Sequence, residues 1–152
     1  MKTQEDKQLL LKDLCARLPY GVICHTEEGD GHLCSINQTI FGTEYGININ
    51  SLKRDYFNDS ETERQAIKPY LRPLSSMTVE EKKELSVRYV WKITSTKIRI
   101  RYHSEGYWDN DTECPTEEYL KLFDWFNEHH FDYRGLIDKG LAIEVTEENN
   151  PY

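Results

Sequence analysis

The sequence predicts an α+β fold, and three observations point to this class. Leucines recur at helical spacing near the N-terminus, two strand-like segments flank a turn-rich stretch, and a second apolar helical stripe lies in the last third. The 152 residues are about the length of one domain. We therefore expect residues 1–152 to form a single α+β domain that needs neither disulfides nor a structural metal to fold.

The N-terminal helix is predicted over residues 4–18. Leu10, Leu14 and Leu18 recur four apart and give one apolar stripe. Pro19 ends this helix, because the residue before a proline is pushed out of the helical region.

A β-hairpin is predicted over residues 20–26 and 32–38, as the start of a small antiparallel sheet. A five-residue loop between the strands would pair Cys24 with Cys34 and place the apolar residues on one face. A two-residue turn at 30–31 would mix the two faces, so the longer loop is preferred.

The next segments carry weaker signals. A third strand is expected within 39–50, where Phe41 and Tyr45 occupy positions of one strand face. Residues 53–66 are polar and predict a surface loop or a short helix. Two prolines four apart make the segment 67–74 extended, because proline excludes a regular helix.

A second helix and a further strand are predicted in the middle of the chain. Thr78 and Glu81 have the spacing of a capping box, so a helix begins there and continues towards Trp91. Strict alternation over residues 97–102 predicts a strand.

Two C-terminal helices are predicted, over residues 115–130 and 133–139. Pro115 is a favoured first helical residue, and Gly140 stops the second helix. A short final strand is expected within 141–145.

The net charge of −8 argues against a broadly basic nucleic-acid binder. The charge is uneven, because residues 105–152 hold thirteen acidic and three basic residues, whereas residues 79–104 hold three acidic and seven basic ones. Such asymmetry indicates the charge of the partners that the protein binds. An acidic surface that binds a basic partner is one interpretation, and an ordinary solvated face is the other.

The sequence predicts a cytoplasmic protein. Mean hydropathy is −0.76, and no apolar run approaches the roughly 20 residues that span a bilayer. The polar N-terminus lacks the apolar core of a signal peptide. We therefore expect no membrane association and reduced thiols at Cys15, Cys24, Cys34 and Cys114.

Three sequence blocks carry a resemblance. They are DLCARLPYGV at 13–22, IKPYLRPLSSMT at 67–78 and HHFDYRGLI at 129–137. Together they resemble an uncharacterised protein family of gut Bacteroidales and their phages and mobile elements. The family has no established activity to transfer. The resemblance implies a context, namely a bacterial cytosol and a phage or mobile-element gene.

No metal or other cofactor is predicted. In the preferred hairpin register, Cys24, His32 and Cys34 share one face and would offer three zinc ligands. The chain lacks the Cys-x-x-Cys spacing of zinc sites, however. Free cysteines are commonly small core residues, and that interpretation is preferred.

Enzymatic activity ranks third among the functions considered. No phosphate loop, dinucleotide fingerprint, nucleophile elbow or metalloprotease motif occurs in the sequence. A small enzyme with a dispersed site stays open.

Nucleic-acid binding through the basic segment 88–102 is the alternative function. Lys97, Arg99 and Arg101 alternate along the predicted strand and fall on one face. The other interpretation is an edge strand on which charges prevent unwanted pairing.

Protein recognition is the preferred function. The chain has ten tyrosines and three tryptophans, and Tyr, Trp and Arg dominate binding hot spots. We expect an accessory module that binds a protein with a basic surface and inhibits a host system through its acidic C-terminal region. The oligomeric state stays open. The candidate contact residues are Tyr70, Arg72, Trp108, Tyr133 and Arg134.

Overall fold

A computed structural model describes residues 2–50, 53–58, 67–86, 89–93, 98–102 and 116–152 of the chain. It confirms the α+β class, with an N-terminal helix, a six-stranded sheet and a C-terminal helix.

The N-terminal helix α1 (Gln4–Arg17) confirms the predicted element. Thr3 and Asp6 form a capping box, in which the Thr3 hydroxyl accepts from the Asp6 amide at 3.1 Å and the Asp6 carboxylate accepts from the Thr3 amide at 3.0 Å. Beyond α1 the chain tightens into a 3₁₀ turn that contains Pro19.

The large sheet consists of the strands β1 (Ile23–Thr26), β2 (Gly29–Thr39), β3 (Gly42–Asn50), β4 (Lys53–Asn58), β5 (Lys68–Leu71) and β8 (Ile143–Glu144). Their order in the sheet is β4-β3-β2-β1-β5-β8. All neighbouring pairs are antiparallel except β5 and β8, which run parallel, so the sheet is mixed rather than antiparallel as predicted.

The predicted register of the first hairpin is wrong. Cys24 lies opposite Gly31 instead of Cys34, and the connection is the two-residue turn 27–28. Neither the five-residue loop at 27–31 nor the two-residue turn at 30–31 forms, and Gly31, which lies opposite Cys24, has no side chain to bury. Its Cα lies so close to the Asn48 carbonyl of β3 that a Cβ there would collide with that backbone.

Two predictions in the middle of the chain are also wrong in part. The segment 53–66, predicted as a loop or helix, contains β4, where Phe57 pairs with Tyr45 of β3. The helix α2 (Val79–Ser86) has the predicted capping box, yet it ends before Trp91. Strand β6 (Tyr89–Ile93), which is rich in aromatic and β-branched residues, follows instead. It pairs with β7 (Ile98–Tyr102), which confirms the strand predicted over 97–102, and the two form a separate ribbon.

The first of the two predicted C-terminal helices is confirmed as α3 (Thr116–Glu128). The second, over 133–139, is wrong, because this segment consists of bends and turns. The Asp132 carboxylate accepts hydrogen bonds from the amides of Leu136 at 2.9 Å and Ile137 at 2.8 Å. Gly135 adopts a left-handed φ of 75°, so neither the hydrogen bonding nor the backbone is helical.

Among the described residues, the buried apolar side chains form two clusters. The larger one lies between α1 and the six-stranded sheet and includes Leu14, Val22, Ile47 and Leu71. The smaller one joins α2, α3 and the segment that follows α3, through Met77, Leu85, Leu122, Phe126 and Phe131.

Candidate functional site

Two of the predicted contact residues make their main contacts inside the protein. The Tyr70 side chain is buried, and its hydroxyl donates to Asp30 Oδ2 at 3.0 Å. The Arg72 guanidinium donates to both carboxylate oxygens of Glu81, at 2.8 and 2.9 Å, and lies 4.2 Å from the centroid of the Phe131 ring. The Tyr70 bond joins β5 to β2. The Arg72 contacts hold the residue after β5 to α2 and to the segment after α3.

Tyr133 and Arg134 are partly exposed. The Tyr133 hydroxyl donates to Asn127 Oδ1 at 2.9 Å, and the Arg134 guanidinium lies 5.0 Å from the centroid of the Tyr133 ring. Arg134 Nε also lies 3.5 Å from the buried carboxylate of Asp13. Trp108 and Lys97, predicted for a protein contact and a nucleic-acid contact, lie outside the described residues.

The hairpin register separates the three residues considered for zinc. Cys24 is buried on the core face of β1, whereas His32 lies opposite Ile23 and is exposed. The Cys34 thiol donates to the Gly46 carbonyl at 3.1 Å. Burial raises the pKa of the Cys24 thiol. Over the ranges that the structure describes, no three His, Cys, Asp or Glu side chains are grouped to hold a metal ion.

A polar network that sequence reasoning missed crosses three strands of the sheet. His25 Nδ1 and Asp30 Oδ1 lie 2.6 Å apart, and Tyr70 donates to the other oxygen of the same carboxylate. Burial, together with the neighbouring Asp30 carboxylate, raises the pKa of Tyr70. A carboxylate-oriented imidazole can accept a proton. Here the His25 and Asp30 side chains are 51% and 45% exposed, so their attraction is weak and solvent-screened.

The C-terminal residues bind to the same part of the sheet. The Tyr152 hydroxyl donates to the Tyr70 carbonyl at 2.9 Å and accepts from the Ile23 amide at 3.2 Å. Its ring stacks on His130, with centroids 3.7 Å apart and planes at 7°. Burial, followed by the positive charge of Arg17, lowers the pKa of His130 to about 4.

The same turn closes both N-terminal hairpins, and we call these the Glu turn (Thr26–Gly29) and the Phe turn (Thr39–Gly42). In the Glu turn the Thr26 hydroxyl accepts from the Glu28 amide at 3.2 Å and donates to the Gly29 carbonyl at 2.6 Å. In the Phe turn the Thr39 hydroxyl accepts from the Phe41 amide at 3.1 Å and donates to the Gly42 carbonyl at 2.9 Å. Each turn is thus locked by its threonine.

The glycines of the two turns have matching backbone angles, with φ of 127° at Gly29 and 122° at Gly42. This conformation explains why glycine occupies the last position of both turns, because residues with a Cβ rarely adopt it. The central residues differ in kind. They are Glu27 and Glu28 in one turn and Ile40 and Phe41 in the other.

Ile40 and Phe41 are the two most exposed large apolar residues of the described chain, at 93% and 71%. We call this pair the apolar tip. Phe41 was expected to lie in a strand with Tyr45, whereas it lies in the turn before β3. Two large apolar side chains side by side in solvent are unusual, although single ones are common on protein surfaces.

We use the name acidic surface for six exposed carboxylates in residues 116–152. Three of these residues lie in β8 and the turn after it, at one edge of the sheet. Among the described residues, none of these three forms an ion pair. Residues 105–115 of the predicted acidic region lie outside the described residues. The members of the acidic surface are Asp124, Glu128, Asp138, Glu144, Glu147 and Glu148.

The β6–β7 ribbon brings basic residues of two strands together. Lys92 pairs with Arg99, and Arg101 pairs with Val90. The structure therefore brings Lys92 and Arg99 of the predicted basic segment to paired positions of the ribbon.

No family model, curated protein or solved structure matches this chain. Within the described part of the chain, no helix is both long and apolar enough to cross a bilayer.

Proposed function

We propose that this protein is an accessory module that binds another protein, and that its acidic surface meets a basic surface on the partner. The observation that carries this proposal is the position of Glu144, Glu147 and Glu148, which are exposed at one sheet edge without an ion pair among the described residues. Such carboxylates present negative charge towards solvent. They would attract a basic protein before contact and orient it during binding.

The resemblance of the three sequence blocks supplies a context for this proposal. If a phage or mobile element encodes the protein, it would encounter host proteins in the bacterial cytosol. Inhibition of a host system by occupation of a basic surface, such as one that normally binds nucleic acid, fits the net charge of −8. The partner would then release the protein as salt rises.

Charge-matched variants test this proposal. Glu144→Gln/Glu147→Gln/Glu148→Gln removes three charges from the acidic surface. Glu5→Gln/Glu27→Gln/Glu80→Gln removes three exposed charges elsewhere. A protein recovered from host lysate on the wild-type chain would be purified and its Kd measured with each variant at 50 and 300 mM salt.

We expect the acidic-surface variant to bind roughly tenfold more weakly at low salt, and the control variant to bind like wild type. The difference in Kd between the acidic-surface variant and wild type should shrink at high salt, because salt screens the attraction between the charges. Binding that is insensitive to salt, or equal losses in both variants, would contradict the role of the acidic surface.

Nucleic-acid binding is the second candidate, favoured by the pairing of Lys92 with Arg99 on the β6–β7 ribbon. A two-stranded ribbon fits the major groove of DNA, and basic residues on both strands could each neutralise a phosphate. The variant Arg99→Glu/Arg101→Glu should then lose affinity for a 30-base-pair duplex, together with part of the salt dependence. The control Lys82→Glu/Lys83→Glu changes the same charge on α2. Unchanged duplex binding in the ribbon variant would exclude this function.

A further inference from the structure

A comparison of the Glu turn with the Phe turn shows which of their residues the turn backbone requires. Both have a threonine that bonds its own turn and a glycine of positive φ. Both central positions therefore lie on the same kind of backbone. Because the Glu turn forms with Glu27 and Glu28 at these positions, the backbone does not require apolar residues there.

Packing does not explain the apolar tip either. Ile40 and Phe41 are 93% and 71% exposed, so they bury little surface within the chain. Turn positions favour small and polar residues such as Gly, Asn, Asp and Ser. Ile and Phe in this turn thus oppose both the local preference and the hydrophobic effect.

We propose that Ile40 and Phe41 insert into an apolar pocket on a partner protein. This inference rests on the proposed function in that the partner is a protein, and it adds a second contact apart from the acidic surface. The threonine hydrogen bonds hold the turn rigid before binding, so little conformational entropy is lost when the tip is buried. Exposed aromatic and aliphatic anchors of this kind supply much of the affinity of protein interfaces.

Charge favours a protein pocket over a lipid surface. Segments that insert into membranes usually carry Lys or Arg beside the apolar residues, which attract anionic headgroups. Residues 36–50 contain no Lys or Arg, and their one charged residue is Glu44. A second copy of this chain is also disfavoured, because it brings a further net charge of −8.

A photo-crosslinker at matched positions of the two turns tests the inference. The probe is p-benzoylphenylalanine, placed at position 41 of the Phe turn or at position 28 of the Glu turn in the full chain expressed in a bacterial host. We expect a protein adduct of discrete mass from position 41 and at least about tenfold less from position 28. Adding Ile40→Glu to the position 41 probe should lower the adduct yield roughly ten- to hundredfold, since burial of one Ile side chain is worth that factor.

Folding and stability serve as the control. The variant Ile40→Glu/Phe41→Glu reproduces the central residues of the Glu turn, so its thermal midpoint should stay within about 2 °C of wild type. A loss of adduct in a folded variant therefore reports a lost contact.

Every other outcome overturns the inference. No adduct from position 41, or equal adducts from both positions, excludes a specific pocket for the tip. An adduct of twice the chain mass with purified protein indicates self-association instead. Sedimentation of wild type, but not of the Glu variant, with 3:1 phosphatidylcholine–phosphatidylglycerol vesicles indicates a membrane.

The outcome also distinguishes this inference from the proposed function. If the acidic-surface variant weakens binding while Ile40→Glu/Phe41→Glu does not, the tip inference fails and the proposed function stands. If neither variant changes the binding of any host protein, both fail.

Discussion

The guanidinium of Arg17 forms a two-point ion pair with the carboxylate of Asp13, one helical turn earlier, and neither side chain is exposed to solvent. Arg17 Nε lies 2.7 Å from Asp13 Oδ2, and Nη2 lies 3.0 Å from Oδ1. Nη2 also donates to the Phe131 carbonyl at 2.7 Å. The pair therefore fastens α1 to the segment that follows α3.

We predict that Asp13→Ala lowers the free energy of unfolding by about 3–5 kcal/mol, because it leaves the Arg17 charge buried without its carboxylate. The double variant Asp13→Leu/Arg17→Met should be less destabilised than Asp13→Ala, since it removes both charges. Urea unfolding followed by circular dichroism measures both. A double variant whose loss of stability equals the sum of the losses in Asp13→Leu and Arg17→Met would contradict a coupled pair.

The stability of the protein should depend on pH through His130. Burial lowers the folded-state pKa of His130 to about 4, whereas the unfolded chain retains a value near 6.5. Between these values the unfolded state binds more protons. The free energy of unfolding therefore carries no penalty from His130 above about pH 6.5. Up to about 3 kcal/mol of this free energy is lost as the pH falls towards 4.

The variant His130→Asn isolates this effect, because Asn tolerates the left-handed φ of 61° at this position. The difference in unfolding free energy between wild type and variant should narrow or change sign as pH falls from 7 to 4. A difference that stays constant over that range would show that His130 does not titrate as predicted.

Gly31 and Gly46 of the sheet should differ in whether a second substitution can make room for a methyl group. A Cβ at Gly31 would collide with the backbone carbonyl of Asn48, which cannot move alone. A Cβ at Gly46 would collide with the hydroxyl of Ser35, a side chain. We predict that Gly31→Ala and Gly46→Ala each cost about 1–3 kcal/mol. Adding Ser35→Ala should recover part of the loss in Gly46→Ala and none in Gly31→Ala.

The Tyr152 hydroxyl should stabilise the junction of β1 and β5, because it bonds the Ile23 amide and the Tyr70 carbonyl. Tyr152→Phe should lower the unfolding free energy by about 1–2 kcal/mol and speed hydrogen exchange at the Ile23 amide. Tyr56→Phe, which removes the hydroxyl that pairs with Arg54 at an exposed ring of β4, is the control for exchange at Ile23. Unchanged exchange at Ile23 in Tyr152→Phe would mean that the hydroxyl bond does not persist in solution.

Local signals in the sequence predicted the elements that depend on local interactions. The leucine spacing of α1, the capping box of Thr78 and Glu81 and the start of α3 near Pro115 all correspond to short-range physical causes. The predictions are wrong where a structure depends on a partner that is distant in the sequence or of an unusual kind. The parallel pairing of β5 with β8 is a contact between segments about 70 residues apart, and no local pattern encodes it.

The register error and the missed tip have one origin. The repeated pattern Thr-x-x-Gly at Thr26–Gly29 and Thr39–Gly42 is visible in the sequence. The prediction instead weighs a turn at 30–31 against a five-residue loop at 27–31 and places Phe41 in a strand, so neither Thr-x-x-Gly turn is predicted. The helix predicted over 133–139 failed because Asp132 binds the amides that would have begun it.

The Arg17–Phe131 bond and the Tyr152–Ile23 bond join positions 114 and 129 residues apart in the chain. During translation, Arg17 and Ile23 therefore leave the ribosome long before Phe131 and Tyr152 are made. Until residues 131–152 emerge, the Arg17–Asp13 pair lacks its Phe131 carbonyl, and β5 lacks its parallel neighbour β8. The high sequence separation of these contacts implies slow, late completion of the fold. The nascent chain should accordingly depend on chaperones more than a helical protein of equal length does.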